Sequence, residues 1–135
     1  MIFVIGGRPA SGTTTLKNGL VTAFGYPSRS TGELMRAAAQ GYGFDFETDE
    51  WRDFIENHPE IDRQLDEEML QFIEQNENCI AESRLAACLC PRTDNIMRIM
   101  VICNLDDRAT RRAKQKNLPV DEMRVALQTR DTRDR

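Results

Sequence analysis

The sequence predicts a three-layer α/β fold with a parallel sheet of about four strands, and three observations point to it. Short apolar runs, Ile2 to Ile5, Cys79 to Ala81 and Ile96 to Cys103, lack the polar alternation of a half-exposed sheet, so they read as strands buried on both faces. Amphipathic segments with helical spacing separate them. The first run ends in glycines that lead directly into a helix. At 135 residues, 40% hydrophobic and 30% charged, the chain can bury a single core, so one domain spanning 1–135 is expected.

The elements follow in order. After the first strand, Thr14 to Phe24 carries Leu16, Leu20, Val21 and Phe24 at helical spacing and stops at Gly25, before Pro27. Residues 29–32 close a second short strand and cap a helix over Glu33 to Gln40, which Gly41 and Gly43 end. Thr48 caps a short helix through Trp51, Phe54 and Ile55 that stops before Pro59, with His58 at the boundary. From Glu60 an amphipathic helix aligns Ile61, Leu65, Met69, Phe72 and Ile73. A third strand over 79–81 ends at Glu82-Ser83-Arg84. The 96–103 run is the most apolar strand, and Met69, Met97 and Met100 are assigned to the core. Asp106 or Asp107 caps a basic helix through Lys116, in which Arg108, Arg111 and Arg112 are expected to be mostly solvated. Pro119 opens the last helix in its first turn.

Composition excludes several classes. No apolar run approaches the roughly 20 residues that cross a bilayer. Met1 leads into an apolar strand without a basic leader region, so a cytoplasmic location without membrane attachment is expected. The net charge is −4, but residues 45–82 carry fourteen acids against two bases, a local −12 that leaves the remainder positive. An acidic whole argues against a nucleic-acid partner, while a few local arginines suffice for a small phosphorylated ligand. Cys79, Cys88, Cys90 and Cys103 complete no zinc spacing and are expected as free, partly buried thiols in a reducing compartment.

The chemistry concentrates in Gly7-Arg8-Pro9-Ala10-Ser11-Gly12-Thr13-Thr14, between the first strand and the first helix. That is the setting of a phosphate-binding loop, in which backbone N–H groups and a helix N-terminus converge on anionic oxygens. Thr14 occupies the position whose hydroxyl ligates Mg²⁺, whereas the usual lysine after the second glycine is Thr13.

With threonine replacing that lysine, the segment resembles the archaeal-type cytidylate kinases, small P-loop nucleoside monophosphate kinases. The resemblance continues in Ser30-Thr31-Gly32-Glu33-Leu34-Met35-Arg36, Pro59-Glu60-Ile61-Asp62-Arg63, Glu82-Ser83-Arg84-Leu85-Ala86 and Arg130-Asp131-Thr132-Arg133-Asp134. It implies the P-loop kinase fold, with acceptor-binding helices over about 30–75 and a lid over about 115–135, which one of Arg108, Arg111 and Arg112 could face. It implies transfer of the γ-phosphoryl group of ATP, with Mg²⁺, to CMP or dCMP. Arg36, Arg63, Arg84 and Asp134 would hold the acceptor monophosphate. Arg84, Arg130 and Arg133 would act on the transferring phosphoryl group, because a guanidinium fork meets two phosphate oxygens at once. Thr14 would ligate the metal and Glu82 would hold it through water.

Plainer readings stand beside these. Arg63 lies near Asp62, Asp66 and Glu67, where a helix-surface ion pair would explain it. Arg130 and Arg133 lie in alternating charges typical of a solvated helix face. Another P-loop kinase of the adenylate kinase type, or a non-catalytic nucleotide-binding module, is the alternative function. Three departures from the family bear on this. Ala10 and Arg8 replace small or glycine residues, Ala10 being compatible only with a negative φ. Ser83 replaces a glycine beside the acceptor site. Family members continue past the lid with a further strand and helix, so the 96–103 strand is expected at the sheet edge, open to self-association.

Overall fold

Strand β1 (Ile2–Gly7) lies at the centre of the chain's only hydrogen-bonded sheet among the described residues, 1–134 of a computed structural model. The sheet order is β2 (Ser28–Ser30), β3 (Cys79–Glu82), β1, β4 (Ile96–Val101), all parallel. Ile2 stands opposite Cys79 on one side and Ile96 on the other. Both faces of β1 are covered, which is why it is apolar without alternation. Ile2 and Val4 pack with Met69 and Ile73 of α4 (Pro59–Glu74) and Ala86 of α5 (Arg84–Leu89). Phe3 and Ile5 meet Leu16, Leu20 and Val21 of α1 (Thr13–Phe24) on the opposite face. The expected three-layer α/β fold is therefore present.

Local chemistry sets the ends of these elements. Gly25, with φ 65°, closes α1 in the left-handed conformation and donates its N–H to the Val21 carbonyl. Helix α2 (Thr31–Gly41) begins with a full capping box: Ser30 Oγ accepts the Glu33 N–H, and the Glu33 carboxylate accepts the Ser30 N–H at 3.1 Å. Thr48 caps α3 (Asp49–Glu56) and His58 occupies the cap of α4, its ring stacked on Phe54 at 4.1 Å. Phe44, Trp51 and Phe54 form an aromatic cluster that joins the α2–α3 loop to α3.

Several expectations are corrected. Asn104, rather than Asp106 or Asp107, caps α6 (Leu105–Lys116): its Oδ1 accepts the Asp107 N–H, and the two acids fall in the first turn. Pro119 stands at the cap of α7 (Val120–Arg133) instead of inside its first turn. Helix α5 was not foreseen, because six residues are too few for a visible period. The most apolar strand is not the most buried: β4 ends at Val101, pairs with β1 alone, and exposes Met97 and Met100, while Ile102 just beyond it is 88% exposed. Its edge position was expected; its methionines are not core, whereas Met69 is. Cys88 is exposed rather than partly buried, in contrast to Cys79 and Cys90.

Arg108 is the largest correction. Expected in solvent, it is 1% exposed and donates both terminal nitrogens to Asp131, at 3.0 and 2.6 Å. It also donates to the Pro9 carbonyl at 3.3 Å, so one guanidinium joins α6, α7 and the loop after β1. Beside it Ala109, Ala113, Met123 and Leu127 form a separate small core, against which Ala10 packs.

The Arg108 hydrogen bonds hold the Asp131 carboxyl below its ordinary value, outweighing the opposing effect of burial. A depressed folded pKa contributes stability that is complete above the unfolded value of about 3.9 and disappears as pH falls through the folded value. Replacing Asp131 by Asn leaves a buried cation unpaired and should cost about 3 kcal/mol at neutral pH. Thermal melts at pH 7 should show a Tm lower by roughly 10 °C. The difference from wild type should shrink towards pH 3.

Candidate active site

The loop between β1 and α1 has no room at its base. A Cβ on Gly7 would lie 2.6 Å from Ser11 Oγ, 2.7 Å from Thr13 Cγ2 and 2.9 Å from the Val101 carbonyl oxygen. The loop closes over that point through Ala10, with φ 62°, and Gly12, with φ 106°. The expectation that Ala10 has a negative φ is thus overturned. The left-handed backbone costs an L-residue about 1–2 kcal/mol. The packing of the Ala10 methyl against α6 and α7, and the Arg111 bond to its carbonyl at 3.4 Å, hold the conformation.

This geometry opens the N-terminus of α1. Gly12 supplies no side-chain cap, and no acid lies in the first turn. The first-turn N–H groups and the positive end of the helix dipole therefore face the loop without a competing carboxylate on their own helix. Ser11 Oγ is buried and has no hydrogen-bond partner. An orphaned hydroxyl beside an uncapped helix N-terminus fits an anionic oxygen, so the residues present suit the phosphates of a nucleotide.

Glu82, at the C-terminal end of β3, faces this junction. Its Oε1 accepts hydrogen bonds from Thr13 Oγ1 at 2.6 Å and Thr14 Oγ1 at 2.9 Å. The two residues expected at the metal, Thr14 and Glu82, are in direct contact. This junction lies at the C-terminal ends of β1 and β3, next to the point where the chain order reverses across the sheet, the place where ligands of open α/β sheets bind.

Two residues beyond Glu82, Arg84 opens α5. Its Nη2 lies 2.9 Å from Asp134 Oδ2, and Arg130 Nε lies 3.6 Å from the same oxygen. Asp134 therefore gathers two of the three arginines expected to act on the transferring group. Burial pulls the Arg130 guanidinium below its ordinary value; Asp134 opposes this, while Arg84, Arg112 and Arg52 add to it. With more than half of its side chain exposed, it remains a cation.

The other expected residues are not gathered. Arg133 approaches Glu56 of α3 at 3.6 Å. Arg36 lies over the Phe46 ring at 5.2 Å, a cation–π contact, near Glu47. Arg63 is exposed on α4 and makes neither a site contact nor its alternative ion pair among the described residues. Ser83 is buried and its Oγ caps α5 by accepting the Ala86 N–H at 3.2 Å, so the extra side chain serves the helix. Arg8 is half exposed and approaches Asp131 at 3.5 Å.

Sequence reasoning missed Lys17 and Glu33. Lys17 is 5% exposed, with Nζ 2.5 Å from Glu33 Oε1 and 3.9 Å from Glu82 Oε2. A signal was present: Lys17 lies three, four and seven residues before Leu20, Val21 and Phe24, on the apolar stripe itself. Burial raises the Glu33 carboxyl, but the Lys17 ammonium and the Ser30 donors outweigh it and leave it below its ordinary value.

Residues 2–135 match the model of the Cytidylate kinase-like family. The chain is 30% identical to a cytidylate kinase of Thermococcus kodakarensis, over its whole length and 67% of that protein. It is 31% identical to a cytidylate kinase of Methanopyrus kandleri, over 97% of this chain and 70% of that one. A shikimate kinase structure from Bacteroides thetaiotaomicron superposes with a TM-score of 0.60 at 16% identity, covering 96% of this chain and 75% of that chain. That superposition concerns the fold alone. The loop geometry, the sheet order and these matches agree, and the chain belongs to the cytidylate kinase-like family.

Proposed function

We propose that the protein transfers the γ-phosphoryl group of ATP to CMP or dCMP. One observation carries the reading. Glu82 bridges both threonines of an uncapped helix N-terminus, and Arg84, two residues further on, joins Arg130 through Asp134. Phosphoryl transfer asks a protein for position and charge neutralisation more than for covalent work. The loop from Gly7 to Thr14 would hold the phosphates of ATP through backbone N–H groups and the orphaned Ser11 hydroxyl. Thr14 and Glu82 would hold Mg²⁺, which supplies charge neutralisation on the phosphate oxygens. Arg84, two residues after Glu82, and Arg130, joined to it through Asp134, would present guanidinium forks to an acceptor monophosphate or a transferring phosphoryl group. The base of the acceptor rests on the cytidylate kinases that the chain resembles.

A coupled assay offering ATP with CMP, dCMP, UMP and AMP should show turnover of the two cytidine nucleotides first. Preference for AMP would move the chain to the adenylate kinase alternative. Nucleotide binding by folded protein without turnover of any acceptor would favour the non-catalytic one.

Replacing Arg84 or Arg130 by Ala should lower kcat/KM by about 100-fold or more. Each pair with Asp134 is partly exposed and contributes at most about 1 kcal/mol, so melting should change little. Asp134→Asn, which frees both arginines, should fall between wild type and the single arginine variants.

A further inference from the structure

Burying Lys17 is expensive. An ammonium at 5% exposure gives up nearly all its hydration, and an apolar side chain of similar length would fill the volume without that loss. The groups around it account for its presence. Its side chain reaches back toward the N-terminus of α1, as helical side chains do, and arrives between two carboxylates from different parts of the chain. Glu33 belongs to the first turn of α2, the first of the expected acceptor-binding helices. Glu82 ends β3 beside the loop.

Each carboxylate has its second oxygen already engaged. Glu33 Oε2 accepts the Ser30 N–H that starts α2. Glu82 Oε1 accepts the hydroxyls of Thr13 and Thr14 that start α1. The ammonium therefore lies in one continuous chain: the first turn of α1, Glu82, Lys17, Glu33, the first turn of α2. Thr13, at the position where a phosphate loop usually carries its lysine, lies one helical turn before Lys17 on the same face. The cation missing from the loop thus has a counterpart one turn along the helix, directed at the protein's own acids.

We propose that Lys17 is a positioning residue that fixes Glu82 against the two threonines and ties that assembly to the start of α2, so that the phosphate loop and the acceptor-binding helix hold one relative position. The proposal rests on the kinase reading for its catalytic consequence, while the mechanical link stands on the contacts alone. Lys17 need not touch either nucleotide. It sets where the acceptor side lies relative to the loop.

Two variants test it. Lys17→Met keeps the volume and removes the charge. Glu33→Gln keeps the cap, because a glutamine also serves a capping box, and removes the partner charge. In nucleotide-free protein, both should raise amide hydrogen exchange over residues 31–36 by about tenfold, the loss of one charge-assisted bond. In the kinase assay, both should raise the acceptor KM by about tenfold or more with a smaller change in that for ATP, and the double variant should be no worse than either single one. A merely structural lysine would shift Tm and leave KM unmoved. Exchange and acceptor KM within about twofold of wild type in folded Lys17→Met would overturn the proposal. Should the wild type turn over no acceptor, the kinase reading falls, and the exchange measurement alone decides the link.

Discussion

A side chain on Gly7 would collide with Ser11, Thr13 and the β4 backbone, and the geometry of the site descends from that restriction. Because nothing projects from the last residue of β1, the loop can fold back onto the strand. It buries Ser11, turns through the positive φ of Gly12, and starts α1 directly above the strand end. Since β1 is the central strand, the helix N-terminus opens beside the end of β3, where Glu82 and Arg84 stand. The pairing of β1 with β3 and one missing side chain thereby determine which groups meet at the strand ends.

The α6–α7 pair is attached to this assembly by different means. Arg108 reaches Asp131 and the Pro9 carbonyl from a buried position, and Ala10 packs its methyl on the same small core. The left-handed backbone at Ala10 is thus held by tertiary contacts instead of by glycine's freedom, which ties the shape of the loop to the placement of α6 and α7. Farther out, Lys116 with Glu47 and Arg133 with Glu56 join these helices to the acidic part of the chain. Those pairs are exposed and worth little individually. Within the acid-rich 45–82 region, Glu47 and Glu56 are the acids that meet cations of α6 and α7 among the described residues.

What the sequence made legible follows the same division. Strands β1 and β3, the amphipathic α1 and α4, and the cap Thr48 were readable because their signals are local in the chain, while the 29–32 segment located the α2 cap without singling out Ser30. The strand–loop–helix turn was readable because residues 7–14 form one short segment between an apolar run and a helical period. Arg108 and Lys17 were not, since the partners that bury them are 23, 16 and 65 residues away and periodicity carries no information about pairing. Met97 and Met100 misled for a related reason: an apolar run predicts a strand but not its place in the sheet order. Arg36 and Arg63, assigned from the family resemblance, lie outside the gathered site because their helices are held by aromatic and apolar contacts that leave those side chains outward.

The distribution of positive charge follows from these contacts. Thr13 places a hydroxyl where a lysine would otherwise bring a cation, and Arg8 approaches Asp131. The loop itself then offers phosphates mainly N–H groups and a helix dipole, a partial charge of about one half. Lys17 faces Glu33 and Glu82, so its charge is already balanced. Full cations come from Arg111 on α6, which reaches the Ala10 carbonyl, and from Arg84 on α5 and Arg130 on α7, held together by Asp134. On the kinase reading, neutralising a polyphosphate therefore depends in part on where α7 lies, and α7 is tied to the loop by Arg108, which bonds both Asp131 and the Pro9 carbonyl. On that reading, the loop without its lysine draws its charge from arginines on three helices outside it, α5, α6 and α7.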